Sequence, residues 1–243
     1  MNRKLLKIAV PNAISLASMG CGLASVTMAA VGRFEAAAWL IIYSCFLDKA
    51  DGAAARALDA GSDFGVQMDS FSDFTAFGIA PAALMWFLGP AVGLPEGWSG
   101  FAAASFPFTA SIRLARFNVA GHEDKEFFTG VPTTFAAGLL AATVLTFRDL
   151  ALLPAWANAL PPVMILLAVL MVSPIRIPKL KGRDNRALNA IQIAAALAGL
   201  VVTVLRTLPE VLLALGLGYL VIGIAAGARS PSPGPQPTDP PGN

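Results

Sequence analysis

The sequence predicts an all-α integral membrane protein with about eight transmembrane helices, and three observations lead to this fold class. Of the 243 residues, 56% are hydrophobic and only 13% are charged, which is unlike an ordinary soluble domain. The apolar residues fall into eight segments, each near the roughly 20 residues that an α-helix needs to cross a bilayer. The Lys and Arg residues are concentrated in alternate connections between these segments, as they are in polytopic membrane proteins.

The predicted helices divide the chain into three parts. Residues 1–12 form a short basic amphipathic segment that would lie against anionic lipid head groups, or a tail that only sets topology. Residues 13–227 form the transmembrane domain, and residues 228–243, rich in Pro, Ser and Gly, form a disordered tail. The eight spans are expected at residues 13–31, 34–57, 64–89, 98–120, 131–148, 156–174, 188–206 and 209–227.

The distribution of positive charge predicts the orientation in the membrane. With the N-terminus inside, 14 of the 17 Lys and Arg residues fall on one side, and only Arg33, Arg148 and Arg206 fall on the other. Positive charge concentrates on the cytoplasmic side, so both termini are expected there, with the protein in the cytoplasmic (inner) membrane. The basic residues of stretch 176–186 serve either this topology or the binding of an anionic group. Nucleic-acid binding is not supported, because these charges lie in a short loop between membrane spans.

Four carboxylates stand out from the apolar sequence that surrounds them. Asp48 and Asp51 are three residues apart, so their side chains are neighbours on one face of a helix. Asp69 and Asp73 follow Gly65 at intervals of four and form one stripe on the next helix. The intervening letters LDAGSD predict a tight turn. Such a turn makes the two helices antiparallel neighbours, so their acidic faces can meet.

The residue types at this site indicate its chemistry. Carboxylates pressed together repel one another unless cations lie between them. Oxygen ligands without Cys or His suit Mg²⁺, Mn²⁺ or Ca²⁺ rather than zinc. Small residues at 52–55 leave room for a bulky group against the backbone, and Arg56 offers a planar cation suited to phosphate. Two alternatives stay open: a solvated helix end paired with Lys49 and Arg56, and the coupling site of an ion or proton transporter.

The spacing of these residues resembles the signature of the CDP-alcohol phosphatidyltransferase family. All eight fixed positions agree, in the order Asp48-x2-Asp51-Gly52-x2-Ala55-Arg56-x8-Gly65-x3-Asp69-x3-Asp73. Members of that family transfer the phosphatidyl group of a CDP-linked lipid to a small alcohol and release CMP. The resemblance implies an enzyme of phospholipid synthesis, a six-helix core with two further helices here, and a homodimer.

The same resemblance implies roles for the motif residues. Two divalent cations, Mg²⁺ or Mn²⁺, would be held by Asp48, Asp51, Asp69 and Asp73. Asp73 would also act as the general base, a role that its place at the end of the stripe suggests independently. The CDP-lipid, CDP-diacylglycerol, would be bound by Gly52, Ala55, Arg56 and Gly65.

Outside the motif, the chain is most similar to the bacterial and archaeal phosphatidylserine synthase branch of that family, in stretches such as RLARFNV, FFTGVP and MVSPIRIPKLK. The implied acceptor is the hydroxyl of L-serine. Arg113 and Arg116 would hold its carboxylate, with Asn118 beside them. Thr133 and Thr134 depart from the pattern, which has a small residue and a proline there. Transfer to glycerol phosphate or inositol phosphate, and a lipid-binding scaffold without catalysis, remain as alternatives.

Overall fold

The computed structural model describes residues 3–59, 61–120, 126–179 and 186–229, and these residues are almost entirely helical. Within them the α-helices are α1 (Arg3–Ala30), α2 (Phe34–Leu58), α3 (Asp63–Asp73), α4 (Ala80–Ala91), α5 (Glu96–Ala120), α6 (Thr133–Asp149), α7 (Leu153–Trp156), α8 (Leu160–Val172), α9 (Arg186–Leu205) and α10 (Pro209–Arg229). A π-helical turn, Phe74–Ile79, joins α3 to α4, and a 3-10 turn, Ala157–Ala159, joins the single-turn helix α7 to α8.

The eight segments that the sequence predicts to be helical are confirmed. Helices α3 and α4 form one continuous segment, α7 is the entry to α8, and each remaining long helix coincides with one predicted segment. By length and composition, three segments of the described residues can cross a membrane: Ala9–Ala30, Asp63–Ala91 and Pro209–Arg229. The others are shorter or carry more polar residues.

The structure describes the N-terminal segment of the chain but not the C-terminal tail. Helix α1 is continuous from Arg3, so the predicted amphipathic segment and the first span are parts of one helix. Residues 180–185 and 230–243 lie outside the described residues. The predicted disordered tail and the middle of the basic stretch therefore remain predictions.

Helices α1 and α2 pack side by side, and buried serine hydroxyls bridge them. Ser18 Oγ donates to the Ser44 carbonyl at 3.4 Å, and Ser44 Oγ donates to the Ser18 carbonyl at 3.2 Å. Further along, Ser25 Oγ donates to the Ala37 carbonyl at 2.8 Å. Small residues with hydroxyl groups allow membrane helices to approach closely. This contact fixes α1 against the face of α2 that carries Asp51.

Helix α6 lies inside the bundle and is buried around most of its circumference. It packs against α2, α8 and α10, and its buried Ala and Leu residues belong to one core cluster with residues of α2, α4, α5 and α8. Phe77, Phe106 and Leu140 are among the largest fully buried side chains of this cluster. Close packing of this kind leaves little freedom for α6 to shift. The start of α6 therefore has a fixed position.

The π-helical turn Phe74–Ile79 begins directly after Asp73. Such a turn accommodates one extra residue, which rotates the helix faces on its two sides by about 100° relative to each other. The polar stripe of α3 ends at Asp73, and Ala76 and Phe77 then turn into the apolar core. The turn thus separates the acidic part of this helix from its packing part.

Two short strands form an antiparallel pair that the all-α prediction did not include. Strand β1 (Phe127–Thr129) follows α5, strand β2 (Arg176–Pro178) follows α8, and the two lie side by side. The Lys179 ammonium lies 4.9 Å from the centroid of the Phe128 ring, a cation–π contact. The pair ties the connection before α6 to the connection after α8.

We expect Gly22→Ala to destabilise the protein. An added Cβ would lie 2.8 Å from Ala76 Cα on the π turn, so α1 would have to move away. Overpacking of this kind costs about 1–3 kcal/mol. In Gly20→Ala, the matched control on the same helix, the new Cβ would meet none of the described residues within 4 Å. Thermal unfolding in detergent measures both; equal melting temperatures would contradict the close approach of α1 to the π turn.

Candidate active site

Three carboxylates converge where α2 and α3 face each other. Asp48 and Asp51 lie one turn apart on α2, and Asp69 lies on α3. One oxygen from each carboxylate lies within 4.8 Å of the other two. Asp51 is only 5% exposed, and the other two are partly buried. The structure therefore brings the two halves of the motif together.

Asp73 lies at the edge of this cluster rather than inside it. Its carboxyl group lies against that of Asp48, and it lines the same cavity, but it is outside the group of three. The Arg113 side chain is also close enough to Asp73 for their charges to interact. Asp73 is thus close both to the acidic cluster and to a guanidinium group.

Two hydroxyl groups from outside the motif donate hydrogen bonds to the cluster. Ser15 Oγ of α1 donates to Asp51 Oδ2 at 2.8 Å. Thr134 Oγ1 of α6 donates to Asp48 Oδ2 at 3.3 Å. Hydrogen bonds to an ionised acceptor are stronger than those between neutral groups. Four helices, α1, α2, α3 and α6, therefore hold the carboxylates in place.

The donor set fits a hard divalent cation. Carboxylate oxygens are the ligands that Mg²⁺, Mn²⁺ and Ca²⁺ prefer, and carboxylates this close repel one another without a positive charge among them. In the described part of the chain, no Lys or Arg forms a salt bridge with any of the four motif carboxylates. This finding disfavours a solvated helix end paired with Lys49 and Arg56. The cluster can hold a metal ion.

The motif carboxylates line a cavity of about 390 Å³. Its wall comes from α1, α2, α3, α5, the start of α6 and β1. Six of the residues predicted to bind the CDP-lipid or the acceptor line it, namely Gly52, Ala55, Arg56, Gly65, Arg113 and Asn118. Arg116 is not among the lining residues that the structure describes. Its Nη1 donates instead to the Val172 carbonyl at 3.2 Å, at the end of α8.

Two glycines of the motif make room for polar side chains of the protein itself. A Cβ at Gly52 would lie 3.3 Å from Arg56 Nη1, so glycine lets the guanidinium lie close to the backbone of α2. A Cβ at Gly65 would lie 3.1 Å from Ser62 Oγ and 3.4 Å from Asn12 Oδ1. Ser62 caps α3, because its Oγ accepts a hydrogen bond from the Gly65 N–H at 3.1 Å. At residues 52–55 the sequence predicted room for a bulky substrate group, but not that Gly52 also makes room for the Arg56 guanidinium.

A further part of the wall comes from α5 and the segment that leads into α6. Arg113 lines it, and its buried Nε has no hydrogen-bond partner among the described residues. Asn118 Nδ2 donates to Ser70 Oγ at 2.9 Å, which ties α5 to α3. Phe128 and Pro132 complete this part. A buried guanidinium N–H without an acceptor is costly, so the wall suits an anionic group.

Sequence reasoning missed Asn12 and Ser15 as parts of the site, and it placed Thr134 only near the acceptor pocket, without a contact to the carboxylates. Asn12 and Ser15 are three residues apart in an apolar helix, so they share a face, and polar residues in such helices usually point to the bundle interior. That signal was available. Thr134 had a signal as well, because it replaces the proline that the family resemblance led us to expect. Which carboxylate it reaches depends on how α6 approaches α2, and local spacing does not contain that information.

The fold and the cavity define the class of protein. It is a polytopic helical membrane protein with an acidic cavity that can hold a cation. The chain belongs to the CDP-alcohol phosphatidyltransferase family, whose sequence pattern matches residues 8–173. It is therefore an all-α integral membrane transferase. The match runs from α1 to the end of α8 and leaves α9 and α10 outside. The predicted division into a six-helix core and two further helices follows this boundary.

Three similar proteins share the name CDP-diacylglycerol–serine O-phosphatidyltransferase. The one from Helicobacter pylori is 37% identical over 174 residues, which are 70% of this chain and 72% of that protein. The one from Bacillus subtilis is 30% identical over 176 residues, 71% of this chain and 91% of that protein. The one from Mycobacterium leprae is 34% identical over 142 residues, 54% of this chain and 46% of that protein.

We expect Asp69→Asn to weaken the binding of Mn²⁺ by at least about tenfold, because the variant lacks one of three converging carboxylates. Asp63→Asn is the matched control, since Asp63 is an exposed residue in the first turn of the same helix and outside the cluster. Calorimetric titration of the purified protein with Mn²⁺ measures both affinities. Equal affinities for the two variants would show that the cluster is not the cation site.

Proposed function

We propose that this protein transfers the phosphatidyl group of CDP-diacylglycerol to the hydroxyl of L-serine, giving phosphatidylserine and CMP in phospholipid synthesis. The observation that carries the proposal is the cluster of Asp48, Asp51 and Asp69 in one cavity with Arg113. The shared name of the three relatives supports the choice of both substrates.

The cations would be two Mg²⁺ or Mn²⁺ ions. Asp48, Asp51 and Asp69 would hold them, with Asp73 completing the second site from the edge of the cluster. When bound, the cations neutralise the diphosphate of the donor and the charge that develops at the attacked phosphorus. Ser15 and Thr134 would remain on the outer side of the carboxylates, as hydrogen-bond donors.

Donor binding would use the wall that α1, α2 and α3 form. The Arg56 guanidinium, close to the backbone at Gly52, offers N–H donors to a phosphate oxygen. The small residues Ala55 and Gly65 leave space for the ligand along this wall, and Asn12 adds a polar side chain beside Gly65. These residues would bind the cytidine and diphosphate parts of the lipid.

Asp73 would act as the general base. It accepts the proton of the serine hydroxyl, whose oxygen then forms a bond to the phosphatidyl phosphorus. The bond between that phosphorus and the bridging diphosphate oxygen breaks at the same time, and CMP leaves with the electron pair. The proximity of Asp73 to both Asp48 and Arg113 in one cavity supports this role, because an acceptor bound at Arg113 would be close to the Asp73 carboxylate.

Arg113 would bind the carboxylate of serine, with Asn118 beside it in the same wall. Acceptors with their own phosphate, glycerol phosphate and inositol phosphate, would require more positive charge. The candidates for it were the basic residues of stretch 176–186. Of these, Arg176 and Lys179 are not among the described residues that line the cavity, and Lys181 and Arg183 lie outside the described residues. The Arg176 guanidinium lies 4.3 Å from the centroid of the Phe127 ring. The charge distribution of the described residues favours serine.

Cellular placement and assembly complete the proposal. The protein would lie in the cytoplasmic membrane with its active site and both termini on the cytoplasmic side, as the positive charges predict. It would work as a homodimer among membrane lipids, as the family resemblance implies.

The decisive experiment measures CMP release by the purified protein with CDP-diacylglycerol and Mn²⁺ or Mg²⁺. Serine, glycerol 3-phosphate and inositol phosphate are added separately, and we expect release with serine. Asp73→Asn should reduce the rate by about 10²–10⁴-fold, the usual contribution of a general base. Asp59→Asn is the control, because Asp59 is exposed at the end of α2 in a left-handed conformation that Asn also adopts.

Each other outcome identifies a different function or residue role. Release with another acceptor only would keep the transferase and overturn the choice of serine. No release with any acceptor, from folded protein that binds metal, would overturn the proposal in favour of an ion-coupled transporter or a lipid-binding scaffold. Equal rates for Asp73→Asn and Asp59→Asn would overturn the assignment of the base.

A further prediction distinguishes the roles of Arg113 and Arg116, which the sequence analysis assigned to the same acceptor site. We expect Arg113→Lys to raise the KM for serine by about tenfold, because a charge-assisted hydrogen bond is lost, and to leave the KM for CDP-diacylglycerol nearly unchanged. Arg116→Lys should leave both values nearly unchanged, because that side chain contacts the end of α8. Equal effects of the two substitutions on serine binding would contradict the cavity-based assignment.

A further inference from the structure

We propose that Ser15 and Thr134 are positioning residues that orient Asp51 and Asp48 for a divalent cation. The proposal rests on the proposed function, which places a cation at these carboxylates. Neither residue belongs to the motif, and they come from helices on different sides of it, α1 and α6. Each donates to one oxygen of one carboxylate.

Ser15 has a well-defined geometry for this role. It is only 4% exposed, and its Oγ lies 2.8 Å from Asp51 Oδ2 and 3.2 Å from the Pro11 carbonyl. The hydroxyl has a single proton, and the shorter contact to an ionised acceptor is the stronger one. Ser72 Oγ donates to the Ser15 carbonyl at 2.8 Å, so α3 holds the Ser15 backbone as well. Ser15 is therefore fixed on two sides.

Thr134 approaches the other end of the cluster. It is the second residue of α6, and its Oγ1 donates to Asp48 Oδ2 at 3.3 Å. The burial of α6 in the core fixes the position from which this hydroxyl reaches the carboxylate. The proline that the family resemblance led us to expect here has no hydroxyl to donate. Thr134 lies outside the eight motif positions, so this contact is not part of the motif.

The two contacts act on the cation site in the same way. A carboxylate side chain can rotate, and a hydrogen bond to Oδ2 restricts this rotation and so fixes the plane in which the carboxylate meets a cation. Partners of metal ligands that act in this manner are worth about 10–100-fold in metal affinity or activity. Because the Ser15 contact is shorter and more buried than the Thr134 contact, Ser15 should contribute more.

The test is a titration of the full-length purified protein with Mn²⁺ in detergent, followed by calorimetry and without any lipid or serine. We expect Ser15→Ala to weaken Mn²⁺ binding by about 10–100-fold, and Thr134→Val to weaken it less, toward the lower end of that range. The Mn²⁺ concentration for half-maximal CMP release should rise in parallel, while kcat at saturating Mn²⁺ should change much less.

Matched controls separate positioning from packing. Ser25→Ala removes a buried α1-to-α2 hydroxyl of the same 2.8 Å length, and Thr143→Val removes a buried hydroxyl of α6, both away from the cluster. Thr134→Ser keeps the hydroxyl and should restore the affinity. Melting temperatures without metal show whether each variant is folded.

The outcomes distinguish the two proposals. Mn²⁺ affinities for Ser15→Ala and Thr134→Val that equal those of the matched controls would overturn the positioning roles and leave the proposed function intact. Failure of Thr134→Ser to restore affinity would overturn the role of that hydroxyl. If the unmodified protein binds no Mn²⁺, the cation site fails first, and the positioning roles fail with it.

Discussion

The site depends on holding like charges together inside a helical bundle. Desolvation and mutual repulsion both raise the free energy of three carboxylates whose oxygens lie within 4.8 Å. Contacts elsewhere in the structure offset this cost of desolvation and repulsion. Reciprocal hydrogen bonds between Ser18 and Ser44 fix α1 on α2, and hydroxyls of α1 and α6 donate to the carboxylates. A divalent cation would provide the largest remaining attraction, so cation binding and the packing of these helices stabilise each other.

Local spacing explains how much of the site the sequence could predict. Intervals of three and four residues fix which helix face a side chain lies on, and the tight turn fixes which faces meet. Asp48, Asp51 and Asp69 therefore converge as expected. The same rule was too coarse for Arg113 and Arg116. A step of three residues still rotates a side chain by about 60°, and at the edge of a cavity that rotation separates a lining residue from one that contacts a neighbouring helix.

Contacts between distant segments account for what the sequence could not predict. Ser15 and Asp51 are 36 residues apart, and Asp48 and Thr134 are 86 apart. The sequence could mark Ser15 as a polar residue of the bundle interior and Thr134 as a departure from the expected pattern. It could not identify the carboxylate that each hydroxyl contacts. Strands β1 and β2 have three residues each, which is too short for an alternating pattern to be recognised. Their pairing arises because two connections run side by side.

The start of α6 joins the two substrate sites that the proposed reaction requires. Thr134 lines the cavity together with Arg113, and its hydroxyl also contacts Asp48 of the donor motif. The chain enters α6 through Gly130, where φ is +73° and an added Cβ would meet the Met171 carbonyl, so α8 restrains this entry as well. Acceptor wall and cation ligands are thus parts of one packed unit. We therefore expect a substitution of Thr134 that alters acceptor preference to act on Asp48 as well, so that acceptor choice and cation binding would be coupled.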